Sequence, residues 1–414
     1  MFAIRNKKLL TNVEKAATGD KLFQNSELMS KEQYIQAWTE QLGTSAPLFS
    51  SNYLARRLMA MNVNPKAIVW KKYEDIFGAP NPLRCDQDGN LIEQLPLDRY
   101  DMIPMLDERI NKYFPGVKAG SKSYVYTQAE ARELLIALEC GFNHMLTGPT
   151  GCGKTFGAEE FMRRLGLPVL TLACTADTVH STLFGKTGLK DGSTFFKKGL
   201  ATLAIEHYGV LILDEVTSID PTRGLDMNPL LENRDIIIDG EGDLADMIIE
   251  NHGMTHVIGT SNTGGKQSGN RAYKNARTQD LAWRDRWYYT ECQYKPVEQE
   301  KQKIIKLMAF MGRDVSTFTT DQQDLVMKVV DDYLKLLDEW RTGFVEGTIS
   351  TPISSRATEA FVKYWMTTGD MYAAYEHAIL PRLESDDLVT FVNSINSEMP
   401  AFVWTKYDPA NIAA

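Results

Sequence analysis

The sequence has few cysteines, and their arrangement suggests neither a crosslink nor a metal site. Five cysteines are scattered over 414 residues, and no two of them form a CxxC pair. This usage argues against a disulfide framework and against a structural zinc site, and it favours a reducing compartment. The six histidines show no metal-ligand spacing either, so we interpret them as core or surface residues.

Long apolar runs and an excess of positive charge are also missing. No run approaches the ~18 residues needed to span a bilayer, and no apolar segment of a signal peptide follows the charged N-terminus. The net charge of −9 argues against a protein whose main task is to coat nucleic acid. We therefore expect a cytoplasmic protein without membrane contact.

The composition is that of a globular protein, with 43% hydrophobic and 24% charged residues. At ~100–200 residues per domain, the length suggests two or three domains. We expect a mostly helical N-terminal region of unknown role over 1–95, with helices at 31–42 and 51–61 and a turn at 85–90. An α/β core over 96–295 and a helical segment over 296–414 follow.

Strands and helices alternate in the middle of the chain. Thr127 and Glu130 form a capping box that opens a helix reaching about Cys140. Apolar runs at 144–146, 168–172, 209–213 and 255–260 predict strands, several of which end in polar residues. This order is typical of a parallel sheet flanked by helices, with its site at the carboxyl ends of the strands. After residue 297 the pattern predicts helices at 299–311, 322–339 and 356–367.

A glycine-rich segment between the first of these strands and the next helix matches the GxxxxGK[ST] pattern. Its residues are Gly148, Pro149, Thr150, Gly151, Cys152, Gly153, Lys154 and Thr155. Such a loop folds its backbone N–H groups around phosphates, the lysine reaches the β- and γ-phosphates, and the threonine binds Mg²⁺. The N-terminus of the following helix adds a favourable dipole. The spacing therefore predicts a P-loop that binds ATP and Mg²⁺.

Polar residues at two further strand ends complete the predicted site. Asp214 and Glu215 follow a buried apolar strand, and we expect Asp214 to hold the Mg²⁺ shell and Glu215 to polarise the attacking water. Asn262 follows the next strand and is placed to bond the γ-phosphate or the same water. Adjacent carboxylates at a strand end are often only solvated, but their place downstream of a P-loop favours the catalytic interpretation.

Two arginines after the sheet, Arg284 and Arg286, are candidates for a finger that stabilises charge on the γ-phosphoryl group. We favour Arg286, with Arg284 as a supporting contact; surface ion pairing is the alternative. A finger supplied across a subunit boundary implies a ring, because head-to-tail interfaces close on themselves. Arg356 begins another helix, from which it can reach the nucleotide.

These motifs together resemble those of AAA+ ATPases, and within them the MoxR group. Within this group the sequence resembles the ATPase subunit of aerobic cobaltochelatase, CobS, over roughly 124–383. The specific elements are Leu183–Lys186, Lys190–Gly192, Ser261–Thr263, Asp285–Trp287 and Ser354–Ala357. The family usually has Ser-Pro-Arg in the last element, whereas Ser355 stands here in place of proline. The resemblance implies that Arg356 senses the nucleotide from a C-terminal helical lid.

The resemblance also implies an insert over 184–198 that faces the pore of a ring. Its residues Phe195, Phe196, Lys197 and Lys198 are candidates for gripping a substrate, with an inward-packed hairpin as the alternative. By the same resemblance we expect a hexameric ring that hydrolyses Mg-ATP and remodels a partner carrying a von Willebrand A domain. One competing hypothesis is a DNA-acting motor that contacts DNA through the insert and through Arg56, Arg57, Lys71 and Lys72. The other is a scaffold that binds nucleotide and barely hydrolyses it.

Overall fold

The computed structural model describes residues 36, 53–61, 63, 68–86, 92, 102–111, 116–118, 120, 124–190, 193–238, 247–267, 273 and 276–398. The helix expected at 31–42 lies outside these residues except for Gln36, which is helical, and so do residues 87–90 of the expected turn. Among the described residues, no helix is both long enough and apolar enough to cross a membrane.

Strands and helices alternate through the first three quarters of the described chain. The strands are β1 (Ile68–Lys72), β2 (Met102–Leu106), β3 (His144–Thr147), β4 (Val169–Ala173), β5 (Gly185–Lys190), β6 (Ser193–Lys198), β7 (Val210–Asp214), β8 (Ile236–Ile238), β9 (Met247–Ile249), β10 (His256–Ser261) and β11 (Tyr288–Glu291). The α-helices are α1 (Tyr53–Ala60), α2 (Tyr73–Phe77), α3 (Glu108–Asn111), α4 (Gln128–Cys140), α5 (Lys154–Arg164), α6 (His180–Leu183), α7 (Leu200–Glu206), α8 (Pro221–Gly224), α9 (Asn228–Leu231), α10 (Leu281–Arg284), α11 (Val297–Phe310), α12 (Thr320–Glu346), α13 (Ser355–Thr368), α14 (Met371–Ala374) and α15 (Ser385–Glu398).

A five-stranded parallel sheet in the order β11-β3-β10-β7-β4 forms the centre of the fold. The four expected strands are all present, which confirms the predicted α/β class. The edge strand β11 was not predicted from the sequence. Its four residues, Tyr-Tyr-Thr-Glu, alternate in exposure and lack the continuous apolar run that marked the others. It pairs with β3 from Tyr288 opposite His144.

Both faces of this sheet are buried, as expected for parallel strands. Successive side chains of β7 point to opposite faces, so Val210 and Ile212 join one apolar core and Leu211 and Leu213 join another. The first core also contains residues of α4 and α5. The second contains residues of α7. The sheet therefore forms a rigid middle layer whose carboxyl edge can carry a site.

The helix preceding the sheet confirms its predicted start. Thr127 accepts from the N–H of Glu130 (3.1 Å), and the Glu130 carboxylate accepts from the N–H of Thr127 (3.0 Å). The helix ends at Gly141, whose φ of 69° lies in the left-handed region that favours glycine. The sequence thus predicted both ends of α4 to within a residue.

The described part of 1–95 packs against this core through α1. The N–H of Tyr53 donates to the Glu139 carboxylate (2.7 Å), and its hydroxyl donates to the Met254 carbonyl (2.6 Å). Arg57 is 3% exposed and donates from Nε to the Tyr208 carbonyl. The strand β1, which was not predicted, pairs antiparallel with β2 beyond residue 95.

The segment expected as an insert is a β-hairpin of β5 and β6. Phe196 packs partly buried against the core of one sheet face, whereas Phe195 is 43% exposed beside Gly188. One aromatic ring therefore packs inward, as the hairpin alternative predicts, and the other faces solvent. That this segment faces the pore of a ring stays a prediction. Lys186 and Lys197 lie directly opposite each other on the solvent face and are both exposed.

The lid segment, residues 297–398, is helical and has its own apolar core. This core contains residues of α11, α12, α13 and α15. The three predicted helices are present, and each is longer than predicted. The helix α15 was not predicted from the sequence. The domain boundaries at 95 and 295 stay predictions.

Candidate active site

The carboxyl edge of the sheet brings together the polar residues that follow three of its strands. The P-loop connects β3 to α5, Asp214 ends β7 and Glu215 follows it, and Asn262 follows β10. Because β3, β10 and β7 are neighbours in the sheet, these residues converge on one place. The site is thus built from strand ends that packing on both faces holds in position.

The P-loop backbone makes approaches that only glycine allows. At Gly148 φ is 142°, and a Cβ there would stand 2.1 Å from the Cys292 carbonyl oxygen. At Gly151 φ is 79°, and a Cβ would stand 2.3 Å from the Cβ of Ser354. Both positions therefore require glycine for conformation and for space.

Lys154 begins α5 and folds its side chain back over the loop. Its Nζ donates to the carbonyls of Gly148 and Pro149 and to Oδ1 of Asn262, each at 2.9 Å. The ammonium group is therefore held at the centre of the P-loop and beside the end of β10. A cation in this position suits the phosphates of a nucleotide.

Thr155 and Asp214 meet at the metal-binding position that the sequence predicts. Thr155 Oγ1 donates to Asp214 Oδ1 at 2.5 Å, and Thr260 Oγ1 donates to the same oxygen at 2.7 Å. A hydroxyl and a carboxylate are oxygen donors of the kind that Mg²⁺ prefers. The donor set therefore fits the ion.

Glu215 occupies an unusual backbone conformation next to Asp214. Its φ of 53° and ψ of 44° are left-handed, which costs a non-glycine residue about 1–3 kcal/mol. Its N–H donates to Thr260 Oγ1 (3.0 Å), and its carboxylate accepts from Asn262 Nδ2 at 3.3 and 3.4 Å. A strained backbone conformation that specific hydrogen bonds stabilise is typical of an active-site residue.

The surroundings of Glu215 also change its acidity. Burial raises the pKa of this carboxyl above its ordinary value, Asp214 raises it further, and Lys154 and Asn262 act in the opposite direction. A carboxylate with a raised pKa is a stronger base than an exposed one. This shift suits a group that accepts a proton from water.

Thr260 is a site residue that the sequence reading missed. It is fully buried in β10 and links Asp214 to the backbone of Glu215 through one hydroxyl. A threonine two residues before Asn262, at the carboxyl end of a predicted strand, was the signal that could have found it.

The two arginines lie apart from this cluster. Arg286 pairs with Glu232, with Nε donating at 2.7 Å, and its Nη1 donates to the Ala282 carbonyl. Arg284 Nε is buried without a partner. Neither arginine bonds a P-loop residue, Asp214, Glu215 or Asn262 within the described residues. Both are therefore outside the site of their own chain.

Arg356 is likewise not joined to the cluster. It is exposed on the first turn of α13 and makes no hydrogen bond or ion pair within the described part of the chain. The residue before it does reach the site, because the Ser355 N–H donates to the Gly151 carbonyl at 3.2 Å.

The described residues contain no group of three or more His, Cys, Asp or Glu that could hold a metal.

The parallel sheet and the glycine-rich loop form a P-loop nucleotide-binding fold of the AAA type. The family model described as "AAA domain (dynein-related subfamily)" matches residues 143–280, a segment that contains Lys154, Asp214, Glu215 and Asn262. The resemblance to the MoxR group predicted from the sequence is confirmed by the relatives that follow.

Three curated relatives illustrate the match. Protein NorQ of Paracoccus denitrificans is 34% identical over 30% of this chain and 43% of its own. Protein CbbQ of Hydrogenophilus thermoluteolus is 31% identical over 34% of this chain and 51% of its own. Putative chaperone BssE of Thauera aromatica is 27% identical over 44% of this chain and 63% of its own. The chain thus spans about half the length of the curated relatives it matches.

Proposed function

We propose that this protein hydrolyses Mg-ATP at the carboxyl edge of its sheet. The observation that carries the proposal is the convergence of Lys154, Thr155, Asp214, Glu215 and Asn262 in one bonded cluster. Lys154 binds the phosphates, and Thr155 and Asp214 hold the metal shell. Mg²⁺, when bound, neutralises charge on the transferred phosphoryl group.

Glu215 acts as the base in this proposal. Its carboxylate accepts hydrogen bonds from Asn262, so the amide fixes the orientation of the carboxylate beside Lys154. From there it orients a water molecule and takes its proton, and Asn262 oriented by Lys154 can hold the same water. The raised pKa of Glu215 supports this role.

Steady-state phosphate release tests the assignment. Glu215→Gln removes the base while keeping the side chain's size, so we expect nucleotide binding to persist and turnover to fall by about 10²–10⁴-fold. Lys154→Ala should lose nucleotide binding. Turnover of the Glu215→Gln variant at the wild-type rate would show that the base has been misassigned.

We further propose that the active form is a ring in which Arg286 acts on the neighbouring subunit's site. Arg286 lies just before β11, and its side chain is partly exposed. It pairs with Glu232 and bonds none of the described site residues of its own chain. We expect a hexamer in the cytoplasm, with the segment 96–295 as core, 296–414 as lid and 1–95 as an appendage.

Mixing experiments test the shared site. Arg286→Ala subunits should bind ATP but not hydrolyse it. Added to Lys154→Ala subunits, they should restore turnover, because each variant supplies the group that its neighbour lacks. No recovery in mixed rings, or a normal rate for a monomeric Arg286→Ala protein, would exclude the shared site.

The proposed task is remodelling of a protein partner, with a von Willebrand A domain as the expected element of that partner. The support is the MoxR-group resemblance and a relative named as a putative chaperone. A tagged Glu215→Gln protein held in Mg-ATP should retain such a partner, and the Lys154→Ala control should not.

The alternative is a DNA-acting motor, which one structural feature favours. Lys186 and Lys197 lie opposite each other without a counter-charge among the described residues, beside the exposed ring of Phe195. Against it, Arg57 is buried and bonded, Arg56 donates to the Glu139 carbonyl (3.1 Å), and Lys71 pairs with Glu108. Steeply salt-dependent DNA binding that Lys186→Glu abolishes would favour the motor.

A further inference from the structure

The segment between β11 and α11 is fixed to the core at two adjacent residues. The hydroxyl of Tyr294 donates to the main-chain carbonyl of Thr150 in the P-loop at 2.8 Å. The Lys295 ammonium pairs with the Glu130 carboxylate and lies 4.3 Å from the centre of the Tyr124 ring. The connection that leads into the lid segment is therefore bonded to the P-loop itself.

A second bond joins the lid to the next P-loop residue. The N–H of Ser355 donates to the carbonyl of Gly151 at 3.2 Å. The approach is close enough that a Cβ on Gly151 would overlap Ser354. Two consecutive P-loop carbonyls, those of Thr150 and Gly151, thus accept hydrogen bonds from the lid side.

One buried ion pair holds both donors. Arg341 Nη1 lies 2.9 Å from Glu300 Oε1, with side-chain exposures of 5% and 2%. The Arg341 guanidinium stands 4.6 Å from the centre of the Tyr294 ring, and the Ser355 hydroxyl donates to Glu300 Oε1 at 3.3 Å. Because Tyr294 and Ser355 share this support, a displacement of the lid moves both donors together.

Phosphate binding by a P-loop requires its N–H groups to face the ligand. Carbonyls that bond to the lid are not free to rotate toward the phosphates and repel them. We propose that Tyr294 and Ser355 are positioning residues that hold the Thr150 and Gly151 carbonyls, and with them the P-loop, in the phosphate-binding conformation. This inference rests on the proposed function.

The identity of residue 355 allows this bond. Proline, which the MoxR group usually has at the equivalent position, carries no N–H and cannot make it. Ser355 is the first residue of α13, and Ser354 before it is extended, with φ of −75° and ψ of 160°. Proline is well tolerated as the first residue of a helix, and the extended conformation of Ser354 is the one that a residue before proline adopts. Ser355→Pro therefore removes the bond to Gly151 while keeping the start of the helix.

Mg-ADP affinity and thermal unfolding of the full chain test the proposal. Tyr294→Phe and Ser355→Pro should each weaken Mg-ADP binding about three- to tenfold, because loss of one hydrogen bond lets the loop populate incompetent conformations. Without nucleotide, Tyr294→Phe should melt close to the wild-type temperature, because the phenyl ring still packs beside Arg341, whereas Ser355→Pro should melt lower, because it removes a bonded N–H. A purely structural role does not combine retained stability with lost affinity.

Two matched variants serve as controls. Tyr288→Phe removes a phenol bond of similar length, to Glu133 at 2.6 Å, away from the P-loop, and should bind Mg-ADP like the wild type. Ser355→Ala keeps the N–H and loses only the hydroxyl, so its difference from Ser355→Pro measures the amide bond. Affinities within twofold of wild type for both Tyr294→Phe and Ser355→Pro would overturn the inference alone. A wild-type chain that binds no Mg-ADP would overturn the proposed function with it.

Discussion

Thr260→Val separates the geometry of the catalytic residues from nucleotide binding. The Thr260 hydroxyl donates to Asp214 Oδ1 at 2.7 Å and accepts from the Glu215 N–H at 3.0 Å. Valine has nearly the same shape but makes neither bond. Both partners are partly buried at the sheet edge, so each loses a hydrogen bond that little water can replace.

The magnitude follows from these two bonds. A bond to a carboxylate contributes about 1.5–3 kcal/mol and a neutral one about 0.5–1.5 kcal/mol, so the free energy of unfolding should fall by about 2–4 kcal/mol. The bond from the Glu215 N–H, which stabilises the left-handed backbone at that residue, is one of the two that are lost. If about half of this energy, about 1–2 kcal/mol, serves to orient Asp214 and Glu215, kcat falls by about 5- to 30-fold, since each 1.36 kcal/mol is tenfold.

Phosphate release, ADP affinity without Mg²⁺ and guanidinium unfolding measure the three effects. The affinity for ADP without Mg²⁺ should stay within about threefold, because the contacts of Lys154 do not involve Thr260. Thr260→Ser keeps the hydroxyl and should keep most of the turnover. Turnover of Thr260→Val equal to that of Thr260→Ser would refute the reasoning.

Three further predictions concern the loop, the buried histidines and the N-terminal helix. Gly151→Ala should abolish nucleotide binding, because its Cβ would overlap Ser354 at a φ of 79°, and isothermal titration measures this. Burial lowers the pKa of His144 to about 4 and of His256 to about 3, so both remain neutral in the fold while the unfolded chain binds protons below about pH 6.5. Stability should therefore be constant from pH 8 to 7 and fall as the pH drops from 6.5 toward 4, and urea midpoints should show a shallower fall for His256→Met. Arg57→Met should lower the free energy of unfolding by about 1–3 kcal/mol with unchanged kcat, since it leaves the buried Tyr208 carbonyl unpaired; an equal loss of turnover would contradict this.

The sequence predicted the parts of the fold that depend on local chemistry. The capping box at Thr127, the apolar strand ending at Asp214 and the P-loop glycines each have one favoured structure, and each was found. The edge strand β11 was missed because Tyr-Tyr-Thr-Glu is short and has neither a continuous apolar run nor a strict alternation of apolar and polar residues. The strand β1 was missed because it is stabilised by β2, more than thirty residues away.

The same division applies to the candidate site. The sequence predicted the convergence of five residues, because each belongs to the P-loop pattern or directly follows an apolar strand. They are Lys154, Thr155, Asp214, Glu215 and Asn262. Thr260, Tyr294 and Arg341 act through contacts between distant segments, which no local pattern records. The role of Arg286 as a finger stays a prediction, and its pairing with Glu232 could be seen only in three dimensions.

The nucleotide retained by purified protein after incubation with Mg-ATP tests the central claim most directly. We predict that the wild type contains ADP, that Glu215→Gln contains uncleaved ATP in similar amount, and that Lys154→Ala contains neither. This pattern follows only if one site binds through Lys154 and cleaves through Glu215. Conversion of ATP to ADP by Glu215→Gln at the wild-type rate, or nucleotide retained by Lys154→Ala, would contradict the account.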